Sequence, residues 1–134
     1  MKHIKLRLLA MLLAGVLGGC DIDIPPASSV SYVTYTDGKP GNRVVLDPAQ
    51  VDALTEWLSR YRSGWSLDFA AHPPATYIMV AHNTGEVSML NLWRDRLIIH
   101  GALGSYERPL TPDELGELGR ILQISAVIPV MPDE

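Results

Sequence analysis

The apolar run from Leu8 to Leu17, interrupted only by Gly15, decides how much of this chain can become a folded domain. A helix needs roughly 20 apolar residues to span a bilayer, and this run is about half of that. Lys2, His3, Lys5 and Arg7 surround its start with no acidic residue among them, so a basic beginning leads into a short apolar centre. That is the arrangement of an export signal. A soluble surface helix would need a polar face, and the run offers none. Residues 1–19 are therefore expected to be removed. About 115 residues remain, a common size for one domain and enough for one core.

The run ends Leu17-Gly18-Gly19-Cys20, which resembles the lipobox of bacterial lipoproteins: an aliphatic residue, two small residues and a cysteine. Small side chains give a peptidase access to the scissile bond, and only a thiol can form the thioether to diacylglycerol. The resemblance covers residues 1–20 alone. It implies cleavage between Gly19 and Cys20, lipid on the Cys20 thiol, and a domain held at a membrane of the bacterial envelope, in the periplasm. Two or three acyl chains hold a protein firmly where one binds only marginally. Asp21 resembles the retention signal of enteric-type bacteria, which favours the inner membrane. Cys20 is the sole cysteine. No intramolecular disulfide can form, and the lipid accounts for the thiol without a catalytic role.

The leader holds three of the eleven Lys and Arg residues and none of the fifteen Asp and Glu residues, which leaves a formal charge of −7 from Cys20 onward. Nucleic acid asks for a basic patch, so that class of partner is excluded. A basic protein partner suits the charge, as does plain solubility. Asp21 to Ser29 is charged, then Pro-Pro, then small and polar, and reads as a tether reaching at most about 30 Å. The single domain is expected over residues 30–134.

Within it, Val30 to Thr36 is rich in Val, Thr and Tyr and reads as a strand; Arg43 to Leu46 resumes extended structure after two turns. Asp47-Pro48 starts a helix, with Val51, Leu54, Leu58 and Tyr61 at helical spacing and Gly64 beyond its end. Thr76 to His82, Glu86 to Trp93 and Arg96 to His100 read as a three-strand meander; the first turn contains Gly85 and the second, Arg94-Asp95, has no glycine. Thr111-Pro112-Asp113-Glu114 is a capping box, flanked by Leu110 and Leu115 as a hydrophobic staple. Ile124 to Val130 could add an edge strand. The order ββαβββα predicts an α+β fold, an antiparallel sheet with two helices on one face.

Motifs for chemistry are sparse. His72, His82 and His100 have no metal-ligand spacing. The meander puts His82 and His100 on opposite sheet faces, or two strands apart if the first turn slips, so neither register closes a site with Asp95. No metal or other cofactor is expected. There is no G-x-S-x-G elbow, and Ser105 in a Gly-containing segment reads as a turn. Asp68, Glu86, Asp95 and Glu107 are the acids that could serve a cell-wall hydrolase, but spacing brings no two together.

Trp, Tyr and Arg are denser than chemistry requires. Trp57, Tyr61, Arg62 and Trp65 cluster at the end of the first helix, and Tyr106, Glu107 and Arg108 precede the last. Trp57 and Tyr61 lie at core spacing. Trp93, Arg94, Asp95 and Arg96 form a hairpin tip, normally exposed, of the residue types enriched at binding hot spots. The expectation is an anchored, non-enzymatic protein-binding module, either of the inhibitor or immunity type or an accessory subunit of an envelope complex. The alternatives are a weak peptidoglycan hydrolase with paired carboxylates and a small-ligand binder.

Overall fold

The computed structural model describes residues 20–68, 70–101 and 104–124. The expected signal peptide, and the expected edge strand beyond Ile124, lie outside them. The elements are β1 (Ala27–Thr36), β2 (Lys39–Pro40), β3 (Val44–Val45), α1 (Pro48–Arg60), β4 (Ser66–Leu67), β5 (Thr76–His82), β6 (Val87–Trp93), β7 (Arg96–Gly101), β8 (Gly104–Pro109) and α2 (Pro112–Leu122). One sheet runs β2-β1-β5-β6-β7-β8-β4, with β3 also paired to β1. All pairings are antiparallel. The fold is α+β, with both helices on one sheet face.

Both helices start as their sequences dictate. The Asp47 carboxylate accepts the Gln50 N–H at 2.8 Å, and the Gln50 side chain accepts the Asp47 N–H at 2.9 Å. Thr111 and Glu114 make the same reciprocal pair at 3.2 and 2.9 Å. Each arrangement satisfies donors that a helix start leaves free. Val51, Leu54, Trp57 and Leu58 from α1 meet Leu115, Leu118 and Leu122 from α2 in the same core as Val30, Ile78, Val80, Leu90, Leu97 and Ile99 of the sheet. Full burial of such a side chain contributes about 1.5–3 kcal/mol. Trp57 is fully buried and Tyr61 half-buried against the core, in line with their spacing.

Several features differ from the sequence expectation, among them β2, which falls where turns were expected. Gly104–Pro109 is a strand that pairs with β7 along its whole length, so Ser105 sits in a ladder rather than a turn. The short strand β4 pairs with β8 at the sheet's end. And the expected tether, Asp21 to Ser29, is not free: Ala27 to Ser29 open β1, and the residues before them lie along the domain. Cys20 pairs with Trp65, the Ile22 N–H donates to Arg62 O at 2.8 Å, and Ile22, Ile24 and Ala27 pack on the core. The alternation Asp-Ile-Asp-Ile explains it: every second side chain is apolar and turns inward. His82, buried under this segment, donates from Nδ1 to Pro25 O at 2.8 Å and accepts from the Ser88 hydroxyl at 2.7 Å. It is a buried histidine at the end of β5.

Candidate functional site

The site follows from a topological demand. β4 lies beyond β8, while β5, the next strand in sequence, lies on the far side of β6, β7 and β8. The connection must therefore cross three strands, and it crosses on the face away from the helices. The Asp68 N–H donates to Ser105 O at 3.0 Å on β8. At the other end, the Asn91 side chain on β6 accepts the Ala75 N–H at 3.0 Å and donates to Pro73 O at 3.0 Å. Register places Asn91, Ile98 and Glu107 side by side on this face. Ile98 is fully buried yet separate from the main core, because the crossing chain covers it.

Under this crossing three side chains converge. Nε2 of His72 lies 2.9 Å from Oδ2 of Asp68, and the two side chains are only 12% and 5% exposed. Among the described residues these two atoms have no polar partner but each other. Ligand atoms of Asp68, His72 and Glu107 all fall within 4.8 Å of one another. Burial works to raise the Asp68 carboxyl, but contact with His72, the Ala70 N–H on Oδ1 at 3.1 Å and the nearby His100 outweigh it and hold the group below its usual range. Glu107 is paired with Arg96 at 2.9 Å. The His72 ring lies 5.0 Å from that of Trp93. Beside them His100 and Ser105 share a hydrogen bond at 2.8 Å.

The hairpin tip adjoins this cluster. β6 and β7 are joined by Arg94 and Asp95 alone, since Trp93 pairs with Arg96. Arg94 takes a φ of 57°, the place where glycine is normally found in such a turn. Its guanidinium lies 4.6 Å over the Trp93 ring. Trp93 is half-buried, whereas Arg94, Asp95 and Arg96 are exposed. The Asp95 carbonyl accepts the Leu110 N–H at 2.7 Å, which ties the tip to the start of α2.

Of the four candidate acids, Asp68 and Glu107 meet, contrary to the expectation that no two would. Glu86 and Asp95 stand apart, in the turns at opposite ends of β6. His82 and His100 lie on opposite faces, as the meander register requires. Cys20 is exposed. A cleft lined by Ile22, Ile24, Ile99 and Tyr106 runs between the N-terminal segment and the sheet. Sequence reasoning missed the grouping of Asp68, His72 and Glu107, because two come from the crossing segment and the third from an unrecognised strand. No helix among the described residues is long and apolar enough to cross a membrane. No family model, curated protein or solved structure matches the chain.

Proposed function

We propose that this chain is a lipid-anchored protein of the bacterial envelope whose domain binds a protein partner and does not itself catalyse a reaction. The observation that carries this is the β6–β7 tip, where the Arg94 guanidinium lies 4.6 Å over Trp93 with Asp95 and Arg96 in solvent beside it. Trp and Arg dominate binding hot spots, and a tip already held in one geometry loses less freedom on association. The exposed Cys20 is accessible to acylation, and its lipid would hold the domain at the periplasmic side of a membrane, with the inner membrane favoured by Asp21.

Two kinds of partner suit the domain. A basic cell-wall hydrolase or toxin would match the charge of −7, as in inhibitor and immunity lipoproteins, which this chain resembles in size, anchor and charge. An envelope complex would take the domain as an accessory subunit. The hydrolase alternative gains the approach of Asp68 to Glu107, but it needs a general acid whose pKa is raised. Asp68 is shifted the other way, and Glu107 is engaged by Arg96. The binding reading is therefore the better supported.

The test is affinity capture of the lipidated protein from cross-linked membranes, beside Trp93→Ala and Arg94→Ala. One stoichiometric partner, lost in both variants, is expected. Salt-sensitive capture would indicate the inhibitor type, and co-purification of a whole complex the accessory type. Capture that is unchanged in both variants removes the tip from the interface. Cys20→Ser is expected to abolish fatty-acid labelling; labelling that persists would refute the anchor.

A further inference from the structure

We propose that Asp68, His72 and Glu107 bind a divalent transition-metal cation of the zinc class on the sheet face opposite the helices. This goes beyond the partner-binding reading and does not depend on it.

The geometry already gathers the donors, since one ligand atom from each residue lies within 4.8 Å of the other two. A second observation points to a ligand. Oδ2 of Asp68, on a side chain only 5% exposed, and Nε2 of His72 are buried 2.9 Å apart, with no polar partner but each other among the described residues. Buried polar atoms of this kind are costly, and each that remains asks for a reason. A cation between the carboxylates and the imidazole would satisfy both. His82 is not available for such a role, because both its ring nitrogens are engaged.

Donor type selects the cation. Imidazole nitrogen favours zinc and its neighbours over calcium or magnesium, which prefer oxygen alone. Three protein ligands leave a further position for water or a partner's side chain, as in open zinc sites. Ligands at about 2.0–2.1 Å from a tetrahedral ion lie roughly 3.3 Å from one another. His72 and Asp68 would part by a few tenths of an ångström and the Glu107 carboxylate would draw inward. Arg96 holds one Glu107 oxygen at 2.9 Å, which leaves the other for the metal and gives the ligand an outer-shell donor. It also offsets one of the two carboxylate charges. The bound cation would pin the crossing segment to β8 and fix His72 against Trp93.

The experiment takes the full chain in detergent, treats it with chelator, and titrates it with zinc chloride by calorimetry and with cobalt by visible absorption. One equivalent with a micromolar or tighter Kd is expected, along with a higher melting temperature in zinc. His72→Gln and Glu107→Gln each remove a direct ligand and should weaken binding by at least the ~100-fold that loss of an outer partner can cause. Asp52→Asn, on the exposed face of α1, should leave it unchanged. No saturable binding means that Asp68 and His72 form an ion pair only, and overturns the site. Wild-type affinity in His72→Gln does the same. If that variant does not fold, histidine NMR of the wild-type chain decides: zinc must move the His72 ring signals and leave those of His82 in place, and an unmoved His72 overturns the proposal.

Discussion

Cys20 and Trp65 exchange two backbone hydrogen bonds, Cys20 N–H to Trp65 O at 2.7 Å and Trp65 N–H to Cys20 O at 3.2 Å. The position proposed to carry lipid therefore sits against the body of the domain. An acylated Cys20 amine still keeps one N–H, so the first bond survives modification. Ile22 and Ile24, half-buried on the core, continue the attachment. Replacing both by Ser is expected to lower unfolding stability by about 1–3 kcal/mol, read from urea midpoints. An unchanged midpoint would mean that the segment is only laid alongside the domain.

Trp57 and Trp65 are both fully buried but differ in one atom's fate. Nε1 of Trp65 donates to Tyr61 O at 2.9 Å, whereas Nε1 of Trp57 has no partner among the described residues. Removing an unsatisfied donor recovers part of its desolvation cost, while removing a satisfied one strands the acceptor. Trp65→Phe is expected to destabilise by about 1 kcal/mol more than Trp57→Phe, in paired thermal melts. Equal losses would contradict this.

Glu114 carries a pH dependence. Burial works to raise its carboxyl, but the Thr111 N–H at 2.9 Å and the Arg108 guanidinium at 2.9 Å outweigh it, and the group lies below the ordinary carboxylate range. With the folded value below the unfolded one, the stabilisation is complete above roughly pH 4.5 and fades as pH falls through the folded value. Glu114→Gln keeps the capping acceptor and loses only the charge. At pH 7 it should cost about 1–3 kcal/mol, a charged hydrogen bond's worth. The gap to wild type should narrow steadily below pH 4.5 in urea titrations. A gap independent of pH would show that the charge contributes nothing.

Arg94→Gly separates binding from folding. Glycine relieves a left-handed residue of about 1–2 kcal/mol, against a lost cation–π contact of about 0.5–1 kcal/mol and a more flexible unfolded chain. Stability should stay within about 1 kcal/mol of wild type while partner capture is lost. Retained capture would show that the guanidinium is not a contact.

The helices were legible because their signals are local. Asp47-Pro48 and Thr111 through Glu114 specify caps within four residues, and the apolar stripes behind them need no distant partner. The meander was legible too, since Thr76–His82 and its neighbours alternate at period two. β8 was not. Gly104–Pro109 holds a single residue of strong strand preference, Tyr106, and its pairing with β7 and β4 does the work that composition does not. Glu107 was named as a candidate acid, but without β8 its place on the sheet was hidden, and with it the meeting of Asp68, His72 and Glu107. That cluster exists only because a strand pair separates β4 from β5 by three neighbours. The Asp-Ile-Asp-Ile alternation after Cys20 was readable as extended, inward-facing chain, but the Pro-Pro that follows it drew the reading to a tether. The Arg94–Asp95 turn was found, though nothing in its composition announces that an arginine would occupy a glycine's conformation.

Among the described residues the sheet ends, on both sides, in strands of two residues: β2 and β3 beside β1, and β4 beside β8, with Cys20 laid against Trp65 just outside. A foreign strand arriving at either margin would find only a few free backbone groups in line, too few to repay the freedom it surrenders. Molecules crowded together on a surface would therefore find no template in one another for growth by strand addition.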